Sequence, residues 1–201
     1  MKKIDKIIVG THNNGKFKEI CDLLPKNITK ISPKDLNLLS PDEIGSTFEE
    51  NSKIKAEYFA KKANLIAISD DSGLSIDLLS GDPGIYSSRW AGPTNDFNVA
   101  IEKVYNELKK IKFKWNKKKK IIARFISCLT IHWPNGKFVS SSGIVEGRIS
   151  ETQKGTNGFG YDPIFIPLGH EKTFGELKPQ EKRKIDHRSK AFLKISNLFI
   201  L

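Results

Sequence analysis

Apolar residues recur at two periods along this chain, and their alternation predicts strands followed by helices. Ile7-Ile8-Val9 is a short apolar run of the kind a buried strand shows; Phe17, Ile20, Cys21 and Leu24 then fall at i, i+3, i+4 and i+7, one helix face that Pro25 stops. A second helix is predicted over 47–63, opened by Thr47-Phe48-Glu49-Glu50 in the form of a capping box. Leu65-Ile66-Ala67-Ile68 reads as another buried strand, which runs into Asp70-Asp71-Ser72-Gly73, turns there, and resumes through residues 74–78. Phe97, Ile101, Val104, Leu108 and Ile111 stripe a third helix. Two strands flank Pro134-Asn135-Gly136-Lys137, where Asn-Gly signals a hairpin, and residues 189–201 close the chain as a helix. Strands alternating with helices, plus one antiparallel hairpin, predict an α/β fold with a mixed sheet and helices against it.

Composition narrows the class. A chain of 201 residues with 38% apolar content can fill one domain, or two small lobes around a shared core. Cys21 and Cys128, its two cysteines, are too few for a disulfide framework or a thiolate metal site; they read as core thiols of a protein in a reducing compartment, the cytoplasm. Met1-Lys2-Lys3 begins like a secretory leader, but Asp5 and the polar Thr11-His12-Asn13-Asn14 leave too short an apolar stretch between them. No apolar run approaches membrane-spanning length, so a soluble, unprocessed chain is expected. The net charge of +11 suits a polyanionic partner, and charge alone does not choose between nucleic acid and nucleotide. The dense basic run at 117–120 has only Trp115 beside it and reads as a solvated loop.

Five segments carry chemistry. Asp70 and Asp71 on a rigid strand can bind a divalent metal and take a proton from water, although Asp-Asp-Ser-Gly by itself equally fits a polar strand end entering a turn. Gly10-Thr-His-Asn-Asn-Gly15-Lys16 has the G-x-x-x-x-G-K spacing of a phosphate-binding P-loop. That pattern needs Ser or Thr next, and Phe17 stands there on the apolar stripe. Free amides at a helix start, Gly15 and the Lys16 ammonium still suit a polyphosphate. Asp42-Glu43 adds two hard oxygen donors before the second helix, and magnesium favours one or two carboxylates with phosphate and water. Residues 155–163, with three glycines beside Phe159 and Tyr161, suit an aromatic platform under a flat base or, equally, a turn with core aromatics. Lys182 to Arg188 supplies cationic donors and an imidazole just before the last helix.

Taken in order, these segments resemble the inosine/xanthosine triphosphate pyrophosphatase family. Thr11-His12-Asn13-Asn14-Gly15-Lys16 is similar to its T-(G/H)-N-x-G-K loop, and Gly45-Ser-Thr-Phe-Glu-Glu-Asn51 to its G-x-T-F-x-E-N segment. Ala67-Ile-Ser-Asp-Asp-Ser-Gly-Leu74, Pro83-Gly-Ile-Tyr-Ser-Ser-Arg89 and Gly158-Phe-Gly-Tyr-Asp-Pro-Ile-Phe165 match its most specific stretches. The resemblance implies one two-lobed catalytic domain over 1–201, a long mixed sheet, a substrate cleft between the lobes, and a homodimer. It implies hydrolysis of ITP, dITP or XTP between the α and β phosphates, with Mg2+, to a monophosphate and pyrophosphate, and no nucleic-acid or membrane partner. Carried over by residue, Thr11, His12, Asn13, Asn14, Gly15 and Lys16 would hold the triphosphate, with Lys16 also neutralising the departing pyrophosphate. Asp71 would be the general base and Ser72 a substrate contact. Phe159, Gly160, Tyr161, Asp162, Lys182, His187 and Arg188 would grip base, ribose and phosphates. Asp42, Glu43 and Asp71 would hold the metal, Glu43 being favoured over Asp42. Asp186 stands where the family has Ser; it either borders the base or faces solvent. The rival readings are a P-loop ATPase or kinase, and a basic nucleic-acid-binding module without catalysis.

Overall fold

The computed structural model of the chain describes residues 4–111 and 120–199, so the basic run at 117–120 lies outside the described residues apart from Lys120. Strands β1 (Lys6–Val9), β2 (Thr29–Ile31), β3 (Ala67–Ile76), β4 (Ile122–His132), β5 (Phe138–Ile149) and β6 (Phe165–Pro167) form one sheet in the order β2-β1-β3-β4-β5-β6. β1 is parallel to both β2 and β3, and β5 is antiparallel to β6, which makes the sheet mixed. The helices are α1 (Asn14–Leu23), α2 (Phe48–Ala63), α3 (Phe97–Lys110), α4 (Pro179–Arg183) and α5 (His187–Leu193).

The chain divides into two compact units, one drawn from Met1–Asp71, Ser127–Gly143 and His187–Leu201, the other from Ser72–Ile126 and Ile144–Asp186. In the first, the alternation of side chains along β1 assigns each helix to a face. Ile7 and Val9 join Ile68 of β3, Ile20 of α1 and Phe192 of α5 in one apolar cluster, with Phe17 packed against it. Ile8, on the opposite face, joins Ala67 of β3 with Phe59 and Ala60 of α2. In the second unit, Leu74 and Ile76 of β3 pack with Ala100, Ile101, Val104 and Leu108 of α3 and with Phe125, Phe165 and Phe174. Those three rings lie with centroids 4.6 to 5.9 Å apart.

Four local expectations need correction. No turn interrupts the Asp70 strand: β3 runs unbroken from Ala67 to Ile76. Ile68 is anchored in one core and Leu74 and Ile76 in another, so Ser72 and Gly73 stay extended and the two carboxylates sit in mid-strand. Thr47 caps α2 by accepting from the Glu50 N–H at 3.1 Å, but the Glu50 carboxylate turns to the Ser46 N–H and Oγ, leaving the box half made. Ile111 is the C-cap of α3, its side chain half exposed and off the buried stripe. The last helix begins at His187 and ends at Leu193, where i to i+3 bonds from Lys194 to Ala191 and Ile195 to Phe192 tighten the chain into a 3-10 turn over Ser196–Phe199. The hairpin is as predicted, closed by Trp133 N–H to Lys137 O at 2.8 Å around Gly136 at φ 89°. Cys21 and Cys128 are both free, and burial pushes the Cys128 thiol up to about 11. No helix among the described residues is long and apolar enough to cross a membrane.

Candidate active site

The connections leaving β1 and β2 set the place. From β1 the chain returns to β2 through α1 on one face of the sheet; from β2 it crosses to β3, on the other side of β1, through α2 on the opposite face. Where the connections part in this way, open α/β sheets leave a crevice at the carboxyl ends of the strands. β1 and β3 pair as far as Val9 and Ile68. Just beyond lie Gly10 to Lys16, following β1, and Asp70 and Asp71, within β3.

Asn13 shapes the first segment. Its Oδ1 accepts from the Lys16 N–H at 3.0 Å, capping α1, while Thr11 Oγ1 accepts from the Asn13 N–H at 3.2 Å. The start of α1 thus presents backbone donors and the Lys16 ammonium together. Asn14 is exposed and accepts from Lys34 Nζ at 3.2 Å.

Adjacent strand residues point to opposite faces, and Asp70 and Asp71 do so here. Asp70 shares the α1 and α5 face and is fully buried. Lys16 Nζ meets its Oδ2 at 2.9 Å, Arg188 Nη2 the same oxygen at 3.2 Å, and Ser127 Oγ donates to Oδ1 at 2.5 Å. Burial alone would raise its pKa; Arg188 and Lys16 outweigh that and hold it well below the usual carboxylate range. The second Arg188 donor, Nη1, reaches Glu19 of α1, so the guanidinium spans two acids.

Asp71 shares the α2 face. Asn51 Nδ2 donates to its Oδ2 at 3.3 Å and Lys55 Nζ meets its Oδ1 at 3.2 Å. Burial pushes its pKa up, against the pull of Lys55 and Lys16. Lys55, itself buried, also binds Glu43 Oε1 at 2.5 Å. Burial would lower the Lys55 pKa, yet Asp71 and Glu43 hold it above the ordinary value. One ammonium between two hard carboxylates shows that the pair can converge on a cation, a donor set suited to a hard divalent ion with water and phosphate completing its shell. Asp42 is exposed, and no group of three His, Cys, Asp or Glu suited to a metal occurs among the described residues.

His12 points into the same region but is engaged. Its Nε2 lies 2.9 Å from Leu38 O and its Nδ1 2.6 Å from Ser40 Oγ. A carbonyl only accepts, so Nε2 carries a proton and donates.

The second unit gathers its own group. Lys182, buried, meets Asp162 Oδ2 at 2.6 Å, and that oxygen also accepts from the Phe159 N–H at 2.9 Å. Lys182 Nζ stands 5.1 Å from the ring centroid of Phe159, which is half-buried and offers a face. A Cβ on Gly158 would meet Asp162 Oδ2 at 1.9 Å, and φ there is +74°, so glycine is required for the carboxylate to fold back. Tyr161 is a core residue: its hydroxyl donates to Ser87 O at 2.9 Å and its ring meets Phe97 edge-on at 5.4 Å. Ser72 and Gly160 are half-buried. Asp186 is buried, which removes its solvent-facing alternative; His187, which opens α5 in the first unit, is buried as well.

Sequence reading missed Lys55, Asn51, Glu19 and Ser127. A signal existed for two of them: Asn51 and Lys55 stand eight and four residues before Phe59, on the buried stripe of α2, where an uncompensated polar group would be costly. Glu19 and Ser127 have no signal in local pattern, because their partners, Arg188 of α5 and Asp70 of β3, lie far along the chain.

A profile of the Ham1 family matches residues 7–198. A dITP/XTP pyrophosphatase of Caulobacter vibrioides is 44% identical over 190 residues, 94% of this chain and 95% of that protein. Among solved structures, a HAM1 protein from Coxiella burnetii superposes with a TM-score of 0.84 at 36% identity, covering 96% of this chain and 97% of that one. The Staphylococcus aureus Ham1 protein does so with 0.81 at 34% identity, covering 96% and 97%.

Proposed function

From a chain that belongs to the Ham1 family, we propose an enzyme that hydrolyses non-canonical purine nucleoside triphosphates, ITP, dITP and XTP, at the α-β anhydride to a monophosphate and pyrophosphate. The observation that carries this reading is the Asp71 carboxyl, its pKa raised by burial and tethered by Asn51 and Lys55 beside Glu43. A carboxylate whose pKa is raised holds an abstracted proton more firmly than an ordinary one, which suits a general base.

In the reaction, Asp71 takes a proton from water as its oxygen bonds to the α-phosphorus. The bond from that phosphorus to the bridging oxygen breaks, and the leaving pyrophosphate carries the electron pair. Lys16 and the free amides of α1 receive that developing charge. Arg188 and Asp70 hold Lys16 in place. Glu43 and Asp71 would hold magnesium, which when bound neutralises phosphate charge. Lys182 and the face of Phe159 suit a base and a sugar-phosphate, and Asp162 fixes both. Magnesium, a homodimer and a cytoplasmic setting belong to the same reading; the two free thiols suit the last, and light scattering at working concentration tests the second.

The test is product identity over a panel of inosine, xanthosine, guanosine and adenosine triphosphates with magnesium. Pyrophosphate and monophosphate from the inosine and xanthosine substrates are expected, with adenosine rejected by on the order of 10⁴-fold if its 6-amino donor leaves a buried partner unmatched. Orthophosphate as the direct product would overturn the reading in favour of a γ-phosphate hydrolase.

A further inference from the structure

The segment between the 3-10 turn Pro33–Leu36 and helix α2 carries Asp42 and Glu43 and has little to hold it by burial. Leu39 and Ile44 are 78% and 84% exposed, and Leu38 alone in this stretch packs against the α2-side core. Polar side chains restrain it instead. At its carboxyl end, Asn51 Oδ1 accepts from the Gly45 N–H at 2.8 Å, with the other end of the same amide on Asp71. At its amino end, His12 uses both ring nitrogens, Nε2 donating to Leu38 O and Nδ1 taking Ser40 Oγ. The imidazole is itself braced, its ring 6.2 Å from that of buried Phe59. Between these two clamps, Glu43 reaches Lys55 and, through it, Asp71.

We propose that His12 is a positioning residue: rather than touching the triphosphate, its imidazole latches the loop 38–45, so that Glu43 is presented to Lys55 and Asp71. A ring with one donor and one acceptor at fixed spacing suits this task, because the carbonyl of Leu38 needs a donor and the hydroxyl of Ser40 can supply one in return. The phosphate-binding segment and the acid-bearing loop are thereby tied into one assembly, and the acid's reach depends on a residue more than thirty positions away. This inference rests on the proposed hydrolysis only for its catalytic consequence; the latch itself is a property of the fold.

The experiment compares His12→Ala, Ser40→Ala and the double variant in the full chain. Hydrogen exchange of the loop amides at 38–45 is read without nucleotide. Inosine triphosphate binding is read without divalent metal, and the magnesium concentration giving half-maximal pyrophosphate release is read with it. Loss of both bonds should speed loop exchange by on the order of tenfold in His12→Ala, and loss of one by about threefold in the exposed Ser40→Ala. The magnesium requirement should rise in the same order, and metal-free inosine triphosphate binding should stay within about twofold of wild type. Because both substitutions cut one latch, the double variant should be no worse than His12→Ala. The proposal is overturned if loop exchange in His12→Ala is unchanged, or if His12→Ala weakens metal-free nucleotide binding while Ser40→Ala is silent, the pattern of a phosphate ligand. Absence of pyrophosphate release from the wild type would refute the hydrolase reading and leave the exchange measurement to decide the latch.

Discussion

Asp70 and Asp71 are neighbours in sequence and opposites in setting. Asp70 is enclosed by two cations and a hydroxyl, and its charge is locked on; Asp71 has one ammonium and one amide, and its charge is made harder to hold. The two-residue period of a strand produces this difference, by sending one carboxylate to the α1 and α5 face and the other to the α2 face. Two acids side by side can then take different tasks: one keeps cations in place, the other handles a proton.

The largest effect expected from breaking this contrast is at Asp70. Asp70→Asn leaves Arg188 and the Lys16 ammonium without their shared buried charge, which should cost about 3–5 kcal/mol of unfolding free energy in urea titrations. A loss below about 1 kcal/mol would mean that the network is held from elsewhere. Asp71→Asn should do the reverse, leaving stability within about 1 kcal/mol of wild type and lowering kcat for pyrophosphate release by about 10²-fold or more. More than about a tenth of wild-type kcat surviving would place the base at another residue.

A finer test uses acid, with urea unfolding measured in the absence of divalent metal. The Asp70 pKa is depressed by folding, so its stabilisation is present above the ordinary value of 3.8 and is lost as pH falls through the depressed one. The Asp71 pKa is raised, so its contribution is present below 3.8 and is lost as pH rises through the raised one. The advantage of wild type over Asp70→Asn should therefore shrink on acidification, whereas its standing relative to Asp71→Asn should improve. Slopes of the same sign would contradict the assignment of the two environments. The smallest effect belongs to the control pair outside both faces, Arg124 with Asp77 in the second unit, whose groups are a third or more exposed. Arg124→Ala should change stability by under about 1 kcal/mol.

Much of this was legible before the fold was known, and the boundary has physical causes. The stripes Phe17, Ile20, Leu24 and Phe97, Ile101, Val104, Leu108 appear because helix packing writes its period into local sequence. Lys16 stands out by its glycine-lysine spacing at a helix start, and Asp71 as one of two adjacent acids that follow an apolar run. The unbroken β3 was not legible: Ser72-Gly73 carries a turn signal, and only the cores that grip Ile68 and Leu74 from either side override it. Nor was the pairing of Arg188 with Asp70 and Glu19, since ion pairs across 118 and 169 positions leave no local trace. Residues 155–163 left an open platform and a turn with core aromatics equally open, and Tyr161 takes the second: its hydroxyl finds Ser87 and its ring lies in the core.

Gly143 of β5 limits how this chain can change length. A Cβ there would stand 2.1 Å from His187 O and 2.4 Å from Ala191 N, so α5 lies directly on the strand backbone at one residue. Ser141 Oγ donating to Ala191 O at 2.9 Å, and Lys194 Nζ to Ser142 O at 2.7 Å, fix the same register. An inserted residue at the tip, near Asn135 and Gly136, lengthens the hairpin and leaves this seat intact. An insertion between Gly143 and the pairing of Gly147 with Pro167 shifts the strand by one and brings the side chain of Ser142 or Ile144 under the helix, lifting the turn that carries Arg188. Growth and loss of residues in this hairpin are therefore confined to its tip.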